Sequence, residues 1–276
     1  MGPTLYGRHV LWRKPRSYVV MDNLPIEIVD LILDFLSNER STLQACCVIS
    51  KSWVHRVRKH LFAHVQFNVP RPSIESWIKT FPDPSNSPAH LSRTLSIRGE
   101  PVVVVASLHA RPWVRAFDKI VNLNLEISWW DDFETSTRSL IPFHGLSPSL
   151  KSLSITCLPI PPSDIFNFIC SFHFLEDFTL NLTAIYEIND TSPTIPSTSP
   201  KLTGSLHLAM KSGVQSTVRR FLDLPGGLHF SKISLFWLDR DAGSAADLIS
   251  RCFDSLQSLR IGYTYSGAFP SASTLD

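Results

Sequence analysis

The sequence predicts an α/β protein in which three short N-terminal helices precede a stack of short parallel strands. Two observations lead to this prediction. Apolar residues near the start recur with the period of an α-helix, and a four-residue phrase of alternating polar and apolar residues returns seven times further along the chain. A strand and a return segment that repeat every 25–30 residues are typical of a solenoid, in which each repeat packs on its neighbours.

The composition indicates a folded chain without a nucleic-acid or membrane partner. Of the 276 residues, 43% are apolar and 18% are charged, and the net charge is only +2. Nucleic-acid binding usually needs a concentrated basic stripe. The longest aliphatic run, VVVV at 102–105, is far shorter than the roughly 20 residues that span a bilayer. Five cysteines without a Cys-x-x-Cys pair, and no signal-peptide run, favour a reducing compartment, so we expect a cytoplasmic or nuclear protein.

Composition shifts predict four segments. We expect residues 1–20 to form a poorly structured extension, with Met21 as an alternative start. We expect residues 21–67 to form the helices. Residues 68–90 are rich in Pro and Ser and predict a connector with a short helix around Ile74 to Thr80. Residues 91–276 predict the solenoid, with a flexible insertion at 189–200. No closing helix is visible at its C-terminal end, so its completeness is left open.

The first helix is predicted from Leu24-Pro25, because proline is favoured in a first helical turn. Its end is predicted at Ser37-Asn38. Five apolar residues at helical spacing predict one broad packing face. These are Ile28, Leu31, Ile32, Phe35 and Leu36.

Two further helices follow a short gap. Ser41-Thr-Leu-Gln44 has the form of a capping box and predicts a helix that starts at Thr42, while Ser50 to Ser52 separates it from a third helix that carries Trp53 and Val57. The third helix also carries a basic cluster, which is either a solvated helix face or a phosphate-binding patch. The cluster comprises Lys51, Arg56, Arg58, Lys59 and His60.

The phrases LPIEIVDLILDFL, TLQACCVISKSW and HLF closely resemble the F-box, especially as it occurs in mushroom-forming fungi. The chain departs from the family pattern at Thr42, where many F-boxes carry Asp before Leu. The resemblance implies a three-helix segment that docks on the Skp adaptor of cullin-RING ubiquitin ligases. It implies an adaptor-facing surface formed by Leu24, Pro25, Ile28, Leu43, Val48 and Trp53. The alternative is that these residues only hold the three helices together.

Seven short strands are predicted from the repeated phrase, because alternation with a period of two gives a strand one buried face. The 14 inward positions are all apolar, and their neighbours are all polar. The phrases are TLSI at 94–97, NLNL at 122–125, SLSI at 152–155, DFTL at 177–180, SLHL at 205–208, KISL at 232–235 and SLRI at 258–261.

Amphipathic stretches between these strands predict return helices. They are PPSDIFNFICSFHFLED, STVRRFLDL and AADLISRCFDSL; the last places Leu248, Ile249, Cys252, Phe253 and Leu256 on one side. SLKSLSI, FLEDFTL and SLQSLRI resemble the leucine-rich-repeat phrase L-x-x-L-x-L, but the Asn or Cys that usually follows is absent. The resemblance implies an irregular leucine-rich-repeat-like solenoid.

A row of side chains between the apolar pairs is predicted to line the concave face, where repeat proteins bind partners. The alternative is that these are ordinary solvated strand positions. The row comprises Ser96, Asn124, Ser154, Thr179, His207, Ser234 and Arg260.

Motifs for catalysis or cofactor binding are absent from the sequence. His60 and His64 have the spacing of metal ligands, but the accompanying Glu is missing. No nucleophile elbow, phosphate loop or dinucleotide fingerprint occurs, which leaves a hydrolase without a recognisable nucleophile. We therefore expect no enzyme activity, no metal and no cofactor.

The F-box resemblance, taken with the repeats, implies a substrate-recruiting subunit of an SCF-type ligase. Such a subunit would bind the Skp adaptor, through it cullin, and a target protein through the repeat domain. The alternative is a non-catalytic repeat scaffold whose N-terminal helices only cap the solenoid.

Overall fold

The computed structural model describes residues 24–68, 74–99, 113–127, 149–157, 162–182, 201–210, 214–237 and 242–263. The chain forms two compact units, the first ending at Leu61 and the second beginning at Phe62. The expectations for residues 1–20, for Met21, for the insertion at 189–200 and for the C-terminal end concern residues outside these ranges.

The first unit contains the three predicted helices: α1 (Ile26–Phe35), α2 (Arg40–Ile49) and α3 (Lys51–Leu61). The carbonyl of Pro25 starts α1 by accepting the N–H of Ile28 at 3.0 Å and that of Val29 at 3.2 Å. Ser50, which has extended backbone angles, separates α2 from α3 as predicted. The predicted capping box is wrong, because α2 begins two residues earlier, after Glu39, and has no side-chain cap.

The core of the first unit is small. Helix α1 buries Val29 and Leu33, which lie four residues apart on one side of the helix and are not among the five residues of the predicted face. Ile28, Leu31 and Phe35 are exposed. The buried cluster consists of Val29, Leu33, Leu43, Cys46, Trp53 and Val57.

The second unit contains one sheet of eight parallel strands in sequence order. All seven predicted strands are confirmed, and each starts at the predicted residue and runs two residues further than its phrase. The strands are β1 (His64–Asn68), β2 (Thr94–Gly99), β3 (Asn122–Ile127), β4 (Ser152–Cys157), β5 (Asp177–Leu182), β6 (Ser205–Met210), β7 (Lys232–Trp237) and β8 (Ser258–Tyr263).

Strand β1 was not predicted. Four of its five residues, 64–67, fall inside the segment 21–67 expected to be helical, so the helices end at Leu61 rather than at the predicted bound. The alternation is present in this strand too, since Val65 and Phe67 are buried. The phrase was missed because apolar residues from the preceding helix run directly into it.

Five helices of the second unit lie in the described ranges: α4 (Ile74–Thr80), α5 (Trp113–Ala116), α6 (Pro162–Cys170), α7 (Val214–Leu222) and α8 (Ala242–Arg251). Short 3-10 turns span Pro84–Asn86 and Pro88–Leu91. The predicted connector helix and the three return helices are confirmed. None of the helices in the described ranges is long and apolar enough to cross a bilayer.

A repeated backbone corner sets the register of the sheet. Just before most strands, two successive N–H groups donate to one carbonyl of the preceding repeat; those of Arg93 and Thr94, for example, donate to Ala63 O at 2.8 and 2.9 Å. The same bonds recur at Arg93 O, Val121 O, Lys151 O, Gly204 O and Ser231 O. Because backbone atoms make these bonds, the corner tolerates repeats of irregular sequence.

One hydrophobic cluster runs through the inner faces of β1 to β7 and the helices that pack on them. Every inward side chain of the six predicted phrases in β2 to β7 is at most 3% exposed. In β8, by contrast, Leu259 is 44% and Ile261 is 48% exposed. Phe253, predicted to lie on one side of the return helix with Leu248 and Cys252, is 77% exposed whereas these two are buried; it lies beyond Arg251, where α8 ends.

Candidate protein-interaction surfaces

Helix α1 carries a second apolar face besides the one that it buries. Leu31 follows Val29 by two residues, which places it about 200° away around the helix. Together with residues three and four positions away it forms a stripe of exposed side chains, here called the α1 stripe. The stripe comprises Leu24 (38% exposed), Ile28 (45%), Leu31 (69%) and Phe35 (87%).

Helix α2 exposes a further apolar pair at its C-terminal end. Val48 is 88% and Ile49 is 61% exposed. With Ile26, which is 45% exposed, seven large apolar side chains are exposed in this segment. Scattered apolar side chains are normal on a protein surface, but seven in about 40 residues are a concentration typical of an interaction site. Full burial of such a side chain is worth about 1.5–3 kcal/mol, so a partner that covered them would gain substantial free energy.

The structure separates the six residues that the resemblance assigned to an adaptor surface. Leu24, Pro25, Ile28 and Val48 are exposed. Leu43 and Trp53 are only 1% and 5% exposed and lie together in the core of the first unit. Their placement on the adaptor-facing surface is corrected: in this structure they join the helices to one another.

Two members of the predicted basic cluster pair with carboxylates of α1. Arg56 Nε lies 2.6 Å from Asp30 Oδ1, and His60 Nε2 lies 3.4 Å from Asp34 Oδ1. Both carboxylates are well exposed, so these pairs orient α3 against α1 more than they stabilise the unit. The pairing favours the interpretation of this cluster as a helix face over that of a phosphate-binding patch.

The polar row predicted on the sheet lies at one register. Each of its members is the direct neighbour of the next across the seven strands β2 to β8. Gln66 of β1, which was not predicted, extends the row by one position beside Ser96. The row therefore exists as a continuous line of side chains on the face opposite the hydrophobic cluster, here called the outer face.

Side chains on the β1–β5 part of the outer face are largely bonded to one another. Asn124 Nδ2 donates to Ser96 Oγ at 3.2 Å, and His64 Nε2 lies 3.2 Å from the same oxygen. These neighbours leave Ser96 only 6% exposed. Arg98 Nε pairs with Glu126 Oε2 at 2.7 Å. Ser96 is thus a poor candidate for contact with a partner.

The β6–β8 part of the outer face differs, and it contains an aromatic residue that sequence reasoning missed. Phe236 lies with its ring centroid 5.4 Å from that of His207, and the guanidinium carbon of Arg260 lies 5.3 Å from the Phe236 centroid. A Cβ on Gly262 would come within 2.6 Å of the Phe236 ring, so glycine permits this close approach. We call His207, Phe236 and Arg260, together with the exposed Lys232 four residues before Phe236 on β7, the cation–aromatic cluster.

The sequence held a signal for this cluster. Two positions after each member of the row, the outward residues of β1 to β5 are polar, whereas those of β6, β7 and β8 are Ala209, Phe236 and Gly262. The break in the polar pattern marks the position of the aromatic ring.

Electrostatics within the cluster keep His207 neutral. Burial, and secondly the charge of Arg260, lower the pKa of His207 below its ordinary value of 6.5. At neutral pH the positive charge of this part of the face therefore comes from Arg260 and Lys232.

Among the residues that the structure describes, neither surface assembles a thiolate or a group of metal ligands. Burial raises the pKa of the Cys170 thiol to about 11, and burial also raises the pKa of Cys252 and Cys46. These thiols are protonated at neutral pH, and a thiol is a far weaker nucleophile than a thiolate. Within the described ranges, no three His, Cys, Asp or Glu residues are grouped so that they could hold a metal ion.

Comparison with known proteins gives no family for the chain: no family model matches it, and no curated protein matches it.

Proposed function

We propose that the protein is a substrate-recruiting subunit of an SCF-type ubiquitin ligase. In this proposal the first unit is an F-box that binds the Skp adaptor and, through it, cullin. The sheet of the second unit, as an irregular leucine-rich-repeat-like domain, holds a target protein. The protein acts in the cytoplasm or the nucleus and catalyses no reaction itself; it raises the effective concentration of the target near the ubiquitin carrier.

The observation that supports this proposal best is the pair of apolar faces on α1. One face fills the small core of the first unit, and the other, the α1 stripe, is exposed. A helix with apolar residues on both sides is typical of one that contacts its own domain on one side and a partner on the other. The resemblance to the F-box supplies the identity of that partner.

The alternative is a repeat scaffold whose helices only cap the repeats. A cap covers its apolar side chains with the chain that it protects. Leu24, Ile28 and Val48 do not belong to the core of the first unit, so this alternative requires the repeats to cover them. Protection of these three side chains from solvent in the full chain would favour the alternative.

The test is co-purification of the full chain with the Skp adaptor. The double substitution Leu24→Asp with Ile28→Asp places two charges in the α1 stripe, outside the core of the first unit. Loss of a central apolar contact at an interface costs about 2 kcal/mol or more, so we expect the affinity for the adaptor to fall by more than about 100-fold.

A matched control introduces the same charges elsewhere. Phe174 and Phe253 are 63% and 77% exposed in the second unit, and Phe174→Asp with Phe253→Asp should leave adaptor binding unchanged. Persistence of adaptor binding in the Leu24/Ile28 variant, or its equal loss in the control, would show that the assigned surface is wrong.

A further inference from the structure

The charge on the outer face is unevenly distributed. Among the described outward residues of β1 to β5, Arg98 is paired with Glu126, and Asp177 accepts bonds from the N–H and hydroxyl of Ser205, both at 2.6 Å. The outward residues of β6 to β8 include two cations, Lys232 and Arg260, and no carboxylate. Asp177 lies two strands from Lys232, or roughly 10 Å at the usual strand spacing.

Arg260 is oriented before any partner arrives. Its guanidinium lies over the Phe236 ring, a cation–π contact that restricts the side chain while leaving the N–H donors at its edge available. None of the ion pairs within the described part of the chain involves Arg260 or Lys232. A guanidinium held in this way is suited to a carboxylate, which matches its paired donors.

The spacing of the two cations fits an extended peptide. Lys232 and Arg260 lie on adjacent strands and are offset by two residues along them. Strand geometry places their Cα atoms roughly 8 Å apart. Side chains at alternate positions of an extended chain point to one side and are separated by about 7 Å, so two acidic residues at positions i and i+2 span this distance.

We propose that the cation–aromatic cluster binds two carboxylates at alternate positions of an extended acidic segment of a protein. Lys232 pairs with one carboxylate and Arg260 with the other, and Phe236 positions Arg260. The inference deepens the proposed function, because it gives the chemical class of the target. Two cations are few for a nucleic acid, whose affinity depends on many phosphate contacts.

The proposal is tested with the purified full chain and no adaptor, by fluorescence anisotropy of a labelled nonapeptide in which Glu and Thr alternate. A peptide of alternating Gln and Thr is the neutral comparison. We expect saturable binding of the Glu peptide that is at least about tenfold tighter than that of the Gln peptide and that weakens with added salt.

Three single substitutions locate the site. Arg260→Gln and Lys232→Gln should each weaken binding of the Glu peptide about tenfold, because each removes one charge-assisted contact. Arg98→Gln is the matched control on the same face, and it should change binding less than twofold because Arg98 is paired with Glu126. Unchanged circular dichroism and melting temperature verify that all three variants are folded.

Several results would overturn the inference. These are absence of saturable binding, equal binding of the Gln peptide, a loss on Arg98→Gln as large as that on Arg260→Gln, or tighter binding of an oligothymidylate of equal charge. The Leu24/Ile28 variant should bind the Glu peptide normally. Failure of adaptor binding with retained peptide binding would therefore refute the proposed function and leave this inference standing.

Discussion

The two units of the molecule use apolar side chains in opposite ways. Among the described residues of the first unit, 24–61, six buried side chains form the core, while the α1 stripe, Val48 and Ile49 are exposed. In the second unit the strands up to β7 bury the apolar residues of their inner face, and the residues on the outer face are polar except for Ala209 and Phe236. The contrast shows that apolar content alone does not locate a core. In the first unit many of the apolar side chains are exposed and available to another molecule.

The largest effect is expected from two substitutions in α2, one of a buried and one of an exposed apolar residue, which should differ in their effect on stability. Leu43→Ala removes a fully buried side chain, and such substitutions cost about 2–5 kcal/mol. A core of six residues has little stability to lose, so α1 to α3 should unfold. Val48→Ala removes apolar atoms from a side chain that is 88% exposed and should leave the free protein unchanged.

Hydrogen exchange of peptides from α1 to α3 measures this difference. Leu43→Ala should abolish protection of these peptides while those from β3 to β7 remain protected, and Val48→Ala should alter neither. Equal loss of protection in both variants would contradict the assignment of inner and outer faces. Adaptor binding should fall in both, through unfolding in one variant and loss of contact in the other.

A substitution of smaller effect tests the corner before β6, where the Gly204 N–H donates to Glu176 O at 3.0 Å but the Ser205 N–H donates to Asp177 Oδ1 in place of a second bond to that carbonyl. In Gly204→Ala the new Cβ would overlap the carboxylate of Asp177 and approach Glu176 O at 2.9 Å. That carboxylate accepts two bonds from Ser205, so the clash breaks the corner before β6. We expect a loss of about 1–3 kcal/mol in the free energy of unfolding of the second unit, the usual cost of overpacking.

Denaturant unfolding followed by far-UV circular dichroism measures the effect of Gly204→Ala. Gly227→Ala is an informative comparison, because its new Cβ would meet only His229 Nε2 at 3.5 Å, and the cost there arises from its positive φ of 69°. Stability of Gly204→Ala equal to that of the unsubstituted protein would show that the corner at β6 is not tight.

The sheet was predictable from the sequence where one local rule determined the outcome. Strict alternation located seven strands and their shared register, because a parallel stack with one buried face allows no other phase. The same rule missed β1, where only the two turn residues Phe62 and Ala63 separate the alternation of Val65 and Phe67 from the preceding helix. The alternation also does not indicate which outward side chains hydrogen-bond to one another, so the contacts of Ser96 Oγ with Asn124 and His64 were not predicted.

The first unit was less predictable because α1 is apolar on both sides. Periodicity identifies a helix, but with Val29 and Leu33 on one face and Leu31 and Phe35 on the other it does not indicate which face packs inward. The choice is made by tertiary contact with Leu43, Trp53 and Val57. The resemblance to the F-box did not resolve this either, because it assigned the buried Leu43 and Trp53 to the same surface as the exposed Val48.

A moderate effect on binding is expected from the close approach at β8. In Gly262→Ala the added Cβ would come within 2.6 Å of the Phe236 ring and displace it. Because the ring orients Arg260, we expect the affinity for the Glu peptide to fall about threefold. The free energy of unfolding should change by less than about 0.5 kcal/mol, because the ring is partly exposed. Phe236→Leu should reproduce the loss, and an unchanged affinity in both variants would remove Phe236 from its positioning role.

The smallest effect concerns the charge of one side chain. The pKa of His207 is lowered, first by burial and then by Arg260, so folding favours its neutral form. The stability that His207 contributes is therefore complete above about pH 6.5 and is lost as the pH falls through the lower pKa of the folded state.

Arg260→Gln removes the smaller cause of the lowered pKa of His207, so this pKa should rise but stay below 6.5. NMR titration of the His207 ring measures this change, and a bound carboxylate beside Arg260 should also raise the pKa by offsetting its charge. Lys232→Gln should leave the titration unchanged; a shift as large as that in Arg260→Gln would mean that Lys232, and not Arg260, is the cation nearest the ring.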